Sequence, residues 1–85
     1  MDNGNLLKKA EYQKKVGKIN EAKKIYLKIL RKQPNHFFAL SLLGTLYAQQ
    51  NKMFEAMRYL ERAVQVRGDF PGLLNNLGNV YKVNR

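Results

Sequence analysis

The chain has 85 residues, 45% of them apolar, and a formal net charge of +10 from sixteen basic and six acidic side chains. With no cysteine, a disulfide framework, a thiolate zinc site and a catalytic thiol are all excluded. The length suits one small domain, and no apolar run reaches the roughly 18 residues of a membrane span. The opening "MDNGNLLKKAEYQ" lacks the apolar stretch of a signal peptide, so a cytoplasmic protein is expected.

In chain order, apolar spacing predicts helices over 5–16, 20–32, 36–49, 53–66 and 70–83. The first carries Leu6 and Ala10 on one face and ends at the break Gly17–Lys18. The second carries Ala22, Tyr26 and Leu30, and stops before Pro34. Asn35 is then a suitable N-cap for the third, whose Leu40, Leu43, Gly44 and Tyr47 fall at i, i+3, i+4 and i+7. After the polar break "QQNK", Met53, Ala56, Met57, Leu60, Ala63 and Val64 line one face of the fourth. Asp69 is the corresponding N-cap candidate for the fifth. The fold class is therefore all-α, and no strand or hairpin signal competes.

A single offset, the same between successive segments, aligns them as copies of one unit. Leu40 then meets Leu74, Leu43 meets Leu77, Gly44 meets Gly78 and Tyr47 meets Tyr81. One unit earlier, Leu6 meets Leu40 and Ala10 meets Gly44, while Glu21–Ala22 meets Glu55–Ala56. Such a period indicates stacked helical hairpins. Glycine inside a helix costs roughly 0.5–1 kcal/mol against alanine. Its recurrence is expected where two axes approach closely, with Ala22 or Ala56 of the second helix nested against the small residue and the tyrosine one turn on filling the wider gap.

The segment "LSLLGTLYAQQNKMFEAMRYLERA" (40–63) resembles the tetratricopeptide repeat family, with its Leu-Gly-x2-Tyr and the later Ala56, Leu60 and Ala63 at the family's spacing. "LLNNLGNVY" (73–81) supplies the first half of a further copy. Residues 3–36 match less closely: Lys9 and Gln13 stand where a large apolar residue and a tyrosine are usual, which suggests a capping helix with a wet outer face. The resemblance implies a helical-hairpin solenoid of two hairpins plus one helix. Its repeats would be 3–36, 37–70 and an incomplete 71–85, the start of a longer array. The phrasing of residues 22–50 is similar to bacterial arrays that precede glycosyltransferase or sulfotransferase domains.

The resemblance further implies a protein-interaction scaffold whose first helices line a concave groove, without cofactor. The groove positions it carries over include Glu11, Lys14 and Lys15 in the first copy, then Phe38, Ser41, Thr45 and Gln49. The last copy gives Asn75, Asn76, Asn79 and Lys82. A carboxylate-clamp groove is disfavoured, because Leu7, Glu11, Leu42 and Gly72 replace its polar groups. The last helix lacks its hairpin partner within this sequence, so Leu74, Leu77, Val80 and Tyr81 form a candidate self-association face, giving a homo-oligomer or superhelix.

Catalytic chemistry finds no support. His36 is the only histidine, the six acids are scattered, and no nucleophile triad, metal-ligand set or phosphate-binding glycine loop occurs. The remaining feature is basic: residues 1–34 hold ten basic and three acidic side chains, with Lys24, Lys28 and Lys32 on one helix face. Three readings of it stand open: a solvated face, a surface for an acidic protein or membrane, or a sequence-blind nucleic-acid contact.

Overall fold

The computed structural model describes residues 3–69 together with Gly72, Gly78 and Lys82. Four helices run through the continuous part: α1 (Asn3–Lys15), α2 (Ile19–Lys32), α3 (Phe37–Gln49) and α4 (Met53–Val66). Their bounds lie close to the predicted ones. Gly72, Gly78 and Lys82 are helical and exposed. The rest of the fifth predicted helix, with Leu74, Asn75, Asn76, Leu77, Asn79, Val80 and Tyr81, lies outside the described residues.

Helices α1 and α2 form one antiparallel hairpin, α3 and α4 a second, and α2 packs on α3 to join them. The two hairpin turns are the same structure. Gly17 has φ +87° and Asn51 has φ +61°, and they occupy the same position of successive repeats. Around Gly17 the Lys18 amide donates to the Gln13 carbonyl (2.8 Å) and the Gly17 amide to Lys14 (3.1 Å). Around Asn51 the Lys52 amide donates to Tyr47 (2.9 Å) and the Asn51 amide to Ala48 (3.0 Å). Both are Schellman turns, in which a left-handed residue lets the chain satisfy the last carbonyls of one helix and leave at once for the next. Glycine enters that conformation freely, and asparagine is among the few other residues that tolerate it.

The connection between the hairpins is different. Residue His36, not Asn35, caps α3: its Nδ1 accepts a hydrogen bond from the Ala39 amide at 3.2 Å. The predicted cap at Asn35 is thus one residue early. Across the same corner the Arg62 guanidinium donates to the Pro34 carbonyl at 2.9 Å, tying α4 to the turn that precedes α3.

One contiguous core runs through both hairpins. Ile29, Leu40, Leu43, Leu46 and Leu60 have no exposed surface, and neither has Tyr26. Burying an aliphatic side chain of this size contributes up to about 1.5–3 kcal/mol. Gly44 marks the closest approach. A Cβ built there would lie 2.7 Å from Cγ of Leu60 and 3.3 Å from its amide nitrogen. The predicted close approach is present, but the residue seated against the glycine is Leu60 rather than Ala56. Alanine there would leave the space half filled, and a leucine one turn on reaches across it.

Candidate protein-interaction surfaces

Helix α3 divides cleanly by angle. Gly44 faces α4 through Leu60. Ala39, Leu43 and Leu46 lie roughly 100–160° round the helix from Gly44, at about 100° per residue, and are also fully buried. The helix on that side is α2. What remains is an arc of about 100° carrying Phe38, Ser41, Thr45, Ala48 and Gln49, all exposed or half-buried. The structure therefore gathers Phe38, Ser41, Thr45 and Gln49 on one open face, as the groove reading requires.

The chemistry of that face is narrower than its residue types suggest. Phe38 is 49% exposed and meets Phe37 edge-on at 5.4 Å between ring centres. The Ser41 hydroxyl donates to the Phe37 carbonyl (3.0 Å) and approaches that of Phe38 (3.3 Å), while Thr45 donates to Ser41 (2.8 Å). Both hydroxyls thus donate to the helix's own backbone, and while they do so these oxygens accept from a ligand rather than donate to it. On the neighbouring α1, Glu11, Lys14 and Lys15 surround a hollow of about 540 Å³ together with Tyr12. Lys82 is exposed, and Asn75, Asn76 and Asn79 lie outside the described residues.

A second arrangement escaped the sequence reading. Lys23 of α2 donates to Oε1 of Gln50 at 2.7 Å, and its ammonium sits 4.8 Å from the centre of the Tyr47 ring. Tyr47 stacks on Tyr59 of α4 at 5.6 Å, and the Arg58 and Arg62 guanidinium groups lie over Tyr59 at 5.8 and 5.5 Å. This stacked pair of rings, with Lys23 on one and two arginines on the other, seals the seam between hairpins. Burial, then the neighbouring Lys52, holds the Lys23 amine below its usual pKa, against a smaller opposing effect of Glu55. Burial also raises the Tyr47 phenol, helped by Tyr59 and Glu55. Its ingredients are spread over three helices, so only the fold brings them together.

The third surface is the outer side of the first hairpin. Lys8, Lys9 and Lys28 rim a hollow of about 780 Å³ that has Leu6 and Ile25 in its floor. Tyr12 borders it and is 63% exposed. Among the described residues no carboxylate lines this hollow. Nearby, Oε1 of Gln13 is buried without a hydrogen-bond partner among the described residues. Of the lysine row read from the sequence, Lys24, Lys28 and Lys32 are all exposed, but only Lys28 belongs to this hollow, and Lys24 is paired with Glu21 at 3.5 Å.

Three further observations bear on chemistry. Among the described residues no group of three His, Cys, Asp or Glu side chains is placed to hold a metal ion. No helix among them is long and apolar enough to cross a membrane. His36, the sole imidazole, is engaged as a helix cap.

The family model described as a tetratricopeptide repeat matches residues 39–70, the span that holds Gly44, Tyr47, Leu60 and the second Schellman turn. Over these residues the chain is a tetratricopeptide repeat. Antiviral innate immune response effector IFIT1 of Homo sapiens is 42% identical over 52 residues, which are 61% of this chain and 11% of that protein. The protein of the same name in Macaca fascicularis matches to the same extent. Tetratricopeptide repeat protein 8 of Caenorhabditis elegans is 32% identical over 69 residues, 81% of this chain and 14% of that protein. The chain thus spans only a small part of the length of these curated relatives. All three come from animals and do not bear on the likeness to bacterial arrays. Tetratricopeptide repeats generally mediate protein–protein interaction.

Proposed function

We propose that this chain is an interaction scaffold, without catalytic activity of its own, that holds an extended peptide of a partner protein along the open face of α3 and the fifth helix expected from the sequence over 70–83. Its repeats are taken as 3–36, 37–70 and 71–85. The observation that carries the reading is Phe38, a large apolar ring left 49% exposed at the start of that face while every other side of α3 is packed. It would anchor an apolar side chain of the peptide. Gln49, Asn75, Asn76 and Asn79 would supply amides able to donate to a backbone carbonyl and accept from an N–H. Ser41 and Thr45 would accept only. A contact of this size commonly gives micromolar affinity, about −8 kcal/mol.

The test is selection of short linear peptides from a random display library against the 85-residue chain, followed by titration into variants. Phe38→Ala should weaken the selected peptides about tenfold or more, and Asn76→Ala with Asn79→Ala by a comparable factor, with unchanged helical circular dichroism. Equal binding to both variants would contradict the groove assignment.

A second reading draws on Gly78. A Cβ at Gly44 collides with Leu60, whereas one at Gly78, its equivalent in the next repeat, would meet no atom within 4 Å. Among the described residues, then, nothing takes the place of Leu60 in the last copy. A second copy of the chain could do so, with Leu74, Leu77, Val80 and Tyr81 as the interface. Sedimentation equilibrium separates the two: this reading expects a dimer or larger species that Leu77→Glu converts to a helical monomer.

A further inference from the structure

The outer side of the first hairpin repeats the face by which the second hairpin is stacked, rebuilt with charge. On the second hairpin that face is made by the fully buried Ala39, Leu43 and Leu46, with the half-buried Leu42 beside them, and α2 packs on α3. Shifted back by one repeat, these positions are Asn5, Lys8, Lys9 and Tyr12, all lining the hollow of about 780 Å³ between α1 and α2. The backbone is therefore shaped to receive a helix, as it does one repeat later. The floor is still apolar, with Leu6 and Ile25, but the rim is Lys8, Lys9 and Lys28. Among the described residues no carboxylate is paired with any of these three lysines.

We infer that this hollow is a docking site for an acidic amphipathic helix of a partner protein, one apolar side chain entering between Leu6 and Ile25 and carboxylates meeting the lysine rim. Charge decides the occupant. An ordinary apolar repeat would bury Lys8 and Lys9 unpaired, which is costly. A second copy of this chain, at +10, would bring like charge to like charge. A nucleic acid would find phosphate partners in the lysines but only one exposed ring, Tyr12, on which to stack a base. A helix with carboxylates flanking a leucine satisfies both floor and rim. The site is separate from the α3 face, and does not depend on peptide binding there.

The fold itself supplies the probe. Helix α2 covers the equivalent face of the second hairpin, so a stapled helical peptide of residues 19–32 is used, with Lys23, Lys24, Lys28, Arg31 and Lys32 all replaced by glutamate. A control peptide carries glutamine at the same positions. Each is titrated into the 15N-labelled 85-residue chain. The glutamate peptide should shift the amides of Lys8, Lys9, Tyr12 and Lys28, and bind about tenfold or more tighter than the glutamine peptide. The chain variant Lys9→Glu with Lys28→Glu should lose that binding while keeping its circular dichroism, and should instead bind the stapled peptide with its native lysines. Equal affinity for the glutamate and glutamine peptides, shifts confined to α3, or no binding at millimolar peptide would overturn the assignment. So would a short single-stranded RNA that occupied the same amides more tightly than the glutamate peptide.

Discussion

The two hairpins share a backbone and differ in what lies against them. Both turn through a Schellman motif at the same repeat position, one with glycine and one with asparagine in the left-handed conformation. Both bury the residue that crosses between helices, Tyr26 in the first and Leu60 in the second. Opposite these stand Ala10 and Gly44, each buried. Their other faces diverge completely: Leu43 and Leu46 are buried under α2, while Lys9 and Tyr12 at the same positions face outward. Turn chemistry and hairpin packing are thus requirements of the repeat itself. The residues on its flanks are set by the neighbour, and the flank of the first hairpin suits something other than an apolar repeat.

The largest effect should come from the crossing residues. Leu60→Ala leaves a void against Gly44 and is expected to cost about 2–5 kcal/mol in urea denaturation. The first hairpin offers a contrast the second cannot, because its crossing residue titrates. The Tyr26 phenol donates to Oε1 of Glu11 at 3.4 Å, and burial, then that carboxylate, pushes its pKa up to about 12. The folded state therefore keeps the phenol proton where the unfolded chain releases it. Stability is complete below pH 10, the ordinary value, and falls as pH rises from 10 toward 12, by on the order of 2 kcal/mol. Tyr26→Phe should remove most of that loss, leaving the part due to Tyr47, whose phenol is also raised by burial, and a wild-type urea midpoint that did not drop between about pH 9 and 11.5 would contradict the burial of the Tyr26 phenol.

Smaller effects sharpen the same contrast. Gly44→Ala should destabilise by about 1–3 kcal/mol despite the better helix propensity of alanine, since the new methyl enters the Leu60 side chain. At the turns, Asn51→Gly should gain up to about 1 kcal/mol by relieving a left-handed asparagine. Gly17→Ala should lose a similar amount, although nothing stands within 4 Å of its Cβ, because the strain is in the backbone. If the two turn variants moved stability in the same direction, the equivalence of the turns would fail.

Much of this architecture was legible in the repeat period, because helix faces and turn residues are local properties of a chain. The helix limits and the small residue at 44 follow from spacing alone. Its partner does not: whether Ala56 or Leu60 sits opposite depends on how far α4 slides along α3, which no periodicity records. The cap at His36 was missed because its Nδ1 is an unusual acceptor beside the better-ranked Asn35. The column of Lys23, Tyr47, Tyr59, Arg58 and Arg62 joins three helices and leaves no pattern along the sequence. On the candidate groove, residue spacing was enough to place Phe38, Ser41, Thr45 and Gln49 on one face of α3. It could not show that Ser41 and Thr45 had already given their protons to the backbone.

Whether one repeat has two differently covered flanks is tested most directly by exchanging a single equivalent pair. Lys9→Leu and Leu43→Lys place the same two residues at the same position of successive repeats, and urea denaturation of each reads the cost. The expected result is a stability for Lys9→Leu within about 0.5 kcal/mol of the parent, and a loss of about 4 kcal/mol or more, enough to unfold the chain, for Leu43→Lys. Comparable losses for the two, or a folded Leu43→Lys chain, would mean that burial does not distinguish the flanks, and the contrast between the hairpins would fall.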